Sequence, residues 1–379
     1  MENCKINNPF VVGKYISDAY FCDREEETAF LKKQVENGRN TAIIAPRRLG
    51  KTDLIRHFFA QKDISEGFHT FFIDIYATSS LSEFVLLLGK NIFETLKPIH
   101  IQRKERFFEI IKSLRAGFKL DAVTGEPSLD IGLGNIEQPQ TTLDEIFTYL
   151  ETAPKPCIVA IDEFQQIAEY QEKNIEALLR TKIQNCKQTL FIFSGSRRHM
   201  MSRIFNSPSK PFYQSVITSD LMPLNKKVYV DFAMRQFANY DKSILPALVE
   251  QVYDDYQGVT WYMQMLNNEF FALTDKGASC GMDLYDTALR NVIQTQEASY
   301  RDILSQLPIR QKPVLFAIAK EGLATNVTSG AFVKRYGLGS GSSVQAALKG
   351  LLEKDLVTRT EKGYQVYDRF FSTWIRWNY

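Results

Sequence analysis

The residues best suited to chemistry are Ala45-Pro46-Arg47-Arg48-Leu49-Gly50-Lys51-Thr52. They lie between an apolar run, TAIIA (41–45), and a helical stretch from Lys51 to about Gln61. A strand, a loop ending in Gly-Lys-Thr and a helix form the context of a phosphate-binding loop. Successive backbone N–H groups and the helix N-terminus converge on a phosphate and meet its negative charge. Gly50 allows the tight turn. Lys51 adds a mobile charge for the β- and γ-phosphates, and Thr52 offers a hydroxyl to Mg²⁺. With Asp53 these eight residues make the expected contact set for ATP. The first position departs from G-x-x-x-x-G-K-[ST], because Ala45 replaces Gly. A methyl there matters only if the backbone needs a positive φ. The plain alternative is a chance Gly-Lys-Thr at a helix start.

An acidic partner argues against chance. Cys157-Ile158-Val159-Ala160-Ile161-Asp162-Glu163 is an apolar strand that ends in two carboxylates. Asp162 is suited to hold Mg²⁺ through its water shell. Glu163 is suited to polarise an attacking water as general base. Read alone, the same residues are also an acidic helix start favoured by the helix dipole. A further run, TLFIFSGS (189–196), puts Ser194 at a strand tip, where a hydroxyl can orient water beside the γ-phosphate. Arg197 and Arg198 follow it, as stabilisers of developing charge or, as the preferred reading, as solvated surface.

The elements that must carry these groups alternate along the chain. FHTFFIDIYA (68–77) is a strand candidate, and Ser82 to Leu96 is helical. DEFQQIAEYQEKNIEALLRTKIQNC also reads as helical. Apolar strands separated by helices predict an α/β fold: a P-loop parallel sheet with helices on both faces. FKLDAVTGEPSLDIGL (118–133) reads as an inserted β-hairpin around Thr124-Gly125-Glu126-Pro127. Residues 231–299 show helical patterns without a convincing strand. The expected domains are an ATPase core (1–230), a helical lid subdomain (231–299) and a winged helix-turn-helix domain (300–379).

Composition sets outer bounds. With 379 residues, the chain suits two or three domains. Lys+Arg 46 against Asp+Glu 44 gives a net +2, too balanced for bulk nucleic-acid coating. Residues 300–379 hold 12 basic and 6 acidic side chains, so the tail is basic on a mildly acidic body. No apolar run is long enough for a membrane span, and MENCKINNPF lacks the order of a signal peptide. The five cysteines (Cys4, Cys22, Cys157, Cys186, Cys280) and the four histidines form no metal-ligand or disulfide pattern. A reducing, cytoplasmic setting is expected.

These motifs together resemble the archaeal-type P-loop ATPases, a family of the AAA+/STAND group. Phe21-Cys22-Asp23-Arg24-Glu25-Glu26 is similar to an F-x-G-R-E element, with Asp23 where Gly is usual. Ala45 to Thr52 is similar to G-P-R-R-x-G-K-T, and Ile161 to Gln165 matches D-E-F-Q. Gly195-Ser196, followed by Met200 and Met201, resembles the family's G-S segment. Pro211-Phe212-Tyr213-Gln214 resembles P-L-Y-G-R without the arginine; Gln214 stands where the family often has Arg. Gly258 to Tyr262 resembles a G-x-P-x-Y lid element with Thr260 in place of Pro. The resemblance spans about residues 9–379. It implies an ATPase core, a helical lid and a C-terminal winged helix, and it names no pathway. In such a fold the segment before the phosphate loop passes the adenine, so Tyr15, Phe21 and Arg24 flank base or ribose. Alternatively, Phe21 is core and Asp23 is the N-cap of EEETAFLKKQVE.

The tail reads as three helices and a hairpin, a winged pattern. Ser342, Ser343, Gln345 and Lys349 fall near one face of the third helix, and Arg359 and Lys362 fall on the wing. Ser343, Gln345, Lys349, Arg359 and Lys362 are therefore the DNA-contact candidates. A domain that packs on the ATPase or binds protein is held equally open, and a protein partner or a homo-oligomer is among the expected partners. The aromatic end, Tyr367 to Trp377, reads as a docked helix. The function expected first is a Mg²⁺-dependent ATP-hydrolysing switch coupled to the winged helix. The alternatives are a non-hydrolysing ATP-bound DNA-binding regulator and, third, a small-molecule phosphotransferase.

Overall fold

A computed structural model describes residues 6–95, 111–113, 118–120, 127–129, 136 and 138–379. They divide into two compact units. One holds the described residues of Val11–Phe232 with Gly258–Tyr262; the other holds residues 6–10, Ala233–Gln257 and Met263–Tyr379.

The first unit is built on a five-stranded parallel sheet. Its strands are β1 (Thr41–Ile44), β2 (His69–Asp74), β5 (Cys157–Asp162), β6 (Thr189–Gly195) and β7 (Ile217–Asp220). Their order is β2-β5-β6-β1-β7. Between β2 and β5 in the chain, β3 (Phe118–Leu120) and β4 (Pro127–Leu129) pair antiparallel. That is the predicted hairpin; its turn, 121–126, and its far end, 130–133, lie outside the described residues. Every residue of β5 is buried, as expected of a strand covered on both faces.

The strands split their side chains between two cores. Val159, Ile161, Phe191, Phe193, Ala42 and Phe71 join helices Leu81–Thr95, Pro139–Glu151, Ile175–Asn185 and Arg198–Asn206. Ile158, Ala160, Ile192 and Ile43 join helices Glu25–Glu36 and Lys51–Ala60. Because all five strands run the same way, their C-terminal ends share one edge. Polar residues that interrupt an apolar strand at its tip therefore gather there.

The second unit is mainly helical, but residues 231–299 contain one small strand pair that the sequence reading missed. β8 (Ser243–Ile244) and β9 (Ser279–Cys280) run parallel over two residues each, too short to leave a periodic pattern. The winged helix comprises helices Gln311–Glu321, Gly330–Tyr336 and Gly341–Glu353, then the antiparallel β10 (Val357–Arg359) and β11 (Tyr364–Val366). The aromatic end is a helix, Arg369–Asn378, capped by Asp368 through the N–H groups of Phe370 and Phe371. Its Phe371 and Trp374 pack on Tyr300, with ring centroids 4.9 and 5.8 Å away.

Two local readings are corrected. Asp23 does not cap the helix Glu25–Glu36; Arg24 is the N-cap residue, in a left-handed conformation and without a side-chain cap. The run after Asp162 is not one helix. Glu163 turns with φ 55°, a 3₁₀ helix covers Phe164–Glu169, and an α-helix starts only at Ile175.

Candidate nucleotide site

β1 leads at Ala45 into the loop that opens helix Lys51–Ala60. Positive φ falls at Arg48 (73°) and Gly50 (87°), whereas Ala45 has none. Left-handed backbone favours glycine at position 50, while the methyl of Ala45 is tolerated. The Ala45 N–H donates to the Gly195 carbonyl at 3.2 Å, which ties the start of the loop to the end of β6. Asp23, where resembling sequences carry Gly, has φ 59°, a conformation that Asp adopts more readily than most residues.

The predicted catalytic and metal residues lie together. The Thr52 hydroxyl donates to Asp162 Oδ2 at 2.7 Å. The Ser194 hydroxyl donates to Asp162 Oδ1 at 2.6 Å, and that oxygen also accepts the Glu163 N–H at 3.0 Å. Lys51 is buried, and its Nζ donates to the carbonyls of Ala45 (2.9 Å) and Pro46 (3.2 Å). Burial pushes its pKa below the ordinary lysine value, against the charges of Asp162 and Glu163. The Glu163 carboxylate accepts from the Ser196 hydroxyl at 2.6 Å and from the Gln165 amide.

The remaining predicted contacts divide. The Arg48 guanidinium lies 4.2 Å from the Trp261 ring centroid and donates to the Tyr262 hydroxyl at 2.6 Å. Arg47 sits over the Tyr76 ring, 5.0 Å from its centroid. Arg24 is buried and donates to the carbonyls of Leu49 (3.3 Å) and Met222 (2.8 Å) and to Glu27; it braces the loop from beneath. Asp53 is partly buried, and burial raises its pKa. Nearby, Phe21 stacks on His57 with centroids 4.3 Å apart, and Tyr15 meets both rings edge-on. Arg197 pairs with Glu169, Arg198 pairs with Asp220, and the Gln214 amide donates to the Tyr213 hydroxyl.

Sequence reasoning missed Asp74. It ends β2, directly opposite Asp162 in the register. Burial and the neighbouring charges of Asp162 and Glu163 raise its pKa, and the Tyr76 N–H donates to it at 2.9 Å. The polar end of FFID was the available signal. His57, on the helix that the phosphate loop opens, pairs with Asp18 at 2.9 Å.

On the winged helix, Gln345, Lys349, Arg359 and Lys362 are exposed. Ser343 is half-buried and completes a capping box with Ser340 at the start of Gly341–Glu353.

Residues 21–266 match a family described as an ATPase domain predominantly from Archaea. Residues 298–377 match a probable winged helix domain. Among solved structures, the chain is similar to a Walker-type ATPase of Pyrococcus abyssi at 18% identity and a TM-score of 0.65, over 97% of this chain and 99% of that one. It is similar to the ORC2 protein of Aeropyrum pernix, solved with ADPNP and ADP, at 16% identity and 0.59, over 97% and 96%. It is also similar to the ORC1 protein of Aeropyrum pernix, solved with DNA, at 12% and 0.52, over 94% and 92%. No curated protein matches.

Proposed function

The chain belongs to the family of ATPase domains predominantly from Archaea, and from there we propose that it is a Mg²⁺-dependent, ATP-hydrolysing switch read out through its winged helix. One observation carries the reading: a single buried carboxylate, Asp162, collects the hydroxyls of Thr52 and Ser194, with Glu163 beside it.

Thr52 and Asp162 are the residues that would hold Mg²⁺. A hydroxyl and a carboxylate 2.7 Å apart are the hard oxygen donors such an ion takes, alongside phosphate and water. Bound there, the ion neutralises charge on the phosphates. Lys51 and the loop N–H groups bind and orient the phosphate chain. Ser194 fixes the direction of Asp162. Glu163 accepts a proton from the attacking water. The nucleotide-bound ORC2 neighbour supports ATP as ligand.

The test is Glu163→Gln, which keeps size and hydrogen bonding but removes the base. Mg-ATP affinity should stay nearly intact while single-turnover hydrolysis falls by a factor on the order of 10² or more. Unchanged turnover would remove Glu163 from the mechanism. A second reading, an ATP-bound DNA-binding regulator, is favoured by the exposed Gln345, Lys349, Arg359 and Lys362 and by the DNA-bound ORC1 neighbour. A wild type without turnover in the presence and absence of DNA would select it.

A further inference from the structure

We propose that Gln165 and Ser196 are positioning residues that hold the Glu163 carboxylate for water activation, an inference that rests on the hydrolysis reading above. Glu163 has a left-handed φ of 55°, rare for a side-chain-bearing residue and strained unless its surroundings fix it. Its N–H is tied to Asp162 Oδ1 at 3.0 Å. Its carboxylate is then tied at one oxygen only. Oε2 accepts both the Ser196 hydroxyl, at 2.6 Å, and the Gln165 amide N–H. One bond on the backbone and two on the side chain fix Glu163, and both side-chain bonds fall on Oε2, so Oε1 is the oxygen assigned to the substrate water.

Gln165 is committed to this task. Only 3% of its surface is exposed. Its amide nitrogen must face Glu163, because the reverse orientation would set a carbonyl oxygen against a carboxylate. That orientation leaves the buried Gln165 Oε1 with no hydrogen-bond partner, an arrangement that folding stability alone does not favour. Gly195 makes room for it. Gly195 has no positive φ, so glycine is not needed there for its backbone. A Cβ at that position would instead stand 2.3 Å from Gln165 Oε1 and 2.4 Å from the Met201 sulfur. The glutamine after Asp-Glu-Phe, the Gly195-Ser196 pair and Met201 thus form one device around the general base. Phe164, between the carboxylate and the glutamine, anchors the turn in the core, 4.4 Å from the Phe193 ring.

The experiment measures Mg-ATP affinity and single-turnover hydrolysis on Gln165→Ala, Ser196→Ala and Ser196→Thr beside wild type and Glu163→Gln. Each alanine variant should lose roughly 10-fold or more in turnover with ATP affinity within about 2-fold of wild type. Ser196→Thr, which keeps the hydroxyl, should recover most of the loss. Gln165→Glu adds a readout that loosened packing would not give. A second carboxyl against Glu163 should move the acidic limb of the pH–rate profile up by about one unit or more. Alanine variants with unchanged turnover, in a protein where Glu163→Gln abolishes it, would overturn the positioning role alone. Parallel loss of affinity and turnover in both variants would overturn it in favour of a structural role. A wild type without hydrolysis would remove the hydrolysis reading and this inference together.

Discussion

The nucleotide site and the winged-helix face place polar and charged side chains under opposite conditions. At the nucleotide site Lys51, Asp162 and Ser194 are buried, and each is bonded to another part of the site. On the winged helix Gln345, Lys349, Arg359 and Lys362 stand in solvent, and the charge nearest Lys349 is Glu353 at 3.9 Å, one helical turn on. Burying a charge is costly unless every partner is in place, so the first group tolerates little change of identity. An exposed i,i+4 pair contributes a fraction of a kilocalorie per mole, about 0.3–0.5, so the fold itself gains little from the charge of Lys349. Interlocked burial marks a site from within, whereas an exposed face acquires meaning only with its ligand.

The sharpest way to break that contrast is Lys51→Ala. It removes the ammonium that meets phosphate and frees the carbonyls of Ala45 and Pro46, which Lys51 now caps. ATP affinity, measured by calorimetry, should fall roughly 10²-fold, the scale of a lost charge-assisted hydrogen bond. Unchanged affinity would refute the phosphate-loop assignment.

The same contrast explains what could be read in the sequence. TAIIA, CIVAID and TLFIFSGS were legible as strands because full burial leaves an uninterrupted apolar run, and Asp162 and Ser194 stood out where those runs end. Ile217–Asp220 was not legible. It is an edge strand with three of its four residues exposed, so ITSD carries neither an apolar run nor an alternation. Asp74 was hidden because its importance comes from register: a single carboxylate after FFI means little until β2 lies beside β5. The Gln165–Gly195 contact joins residues thirty positions apart through a clearance that no spacing rule encodes. The capping box at Ser340 and Ser343 was not legible either, because the start of a recognition helix and a cap draw on the same residue type.

A second test works on the exposed side. If the winged helix reads DNA, Lys349→Ala with Arg359→Ala removes two cations from the proposed phosphate-contacting face. Affinity should drop several-fold at low salt, and the slope of log affinity against log salt should shrink by about 2, near 0.9 for each lost contact. Binding by filter retention or fluorescence anisotropy across a salt series measures both. A wild type that does not bind DNA at low salt would recast the face as a protein-docking surface.

The smallest effect sits inside the buried site and concerns stability. Asp53 belongs to the expected nucleotide contacts, yet its carboxyl is partly withdrawn from water. Burial raises its pKa, opposed by the Arg56 charge and by the Tyr15 N–H. A carboxyl whose folded pKa lies above its unfolded value holds its proton more firmly when folded. Its contribution is therefore most favourable at low pH and is lost as pH rises through the folded pKa. At neutral pH the buried anion is a net cost. Asp53→Asn keeps the shape and an oxygen for the Tyr15 N–H but removes the charge. In thermal melts without nucleotide, the Asn variant should melt higher than wild type at pH 7, by on the order of 1–2 °C. The gain should shrink toward zero as pH falls through and well below the unfolded carboxyl value of about 4, until the wild-type carboxyl is neutral in both states. A gain that persisted or grew at low pH would mean that the charge at Asp53 is not the cause. A gain confined to neutral pH, coupled to weaker ATP binding, would mark Asp53 as a residue kept in the site at the expense of the fold.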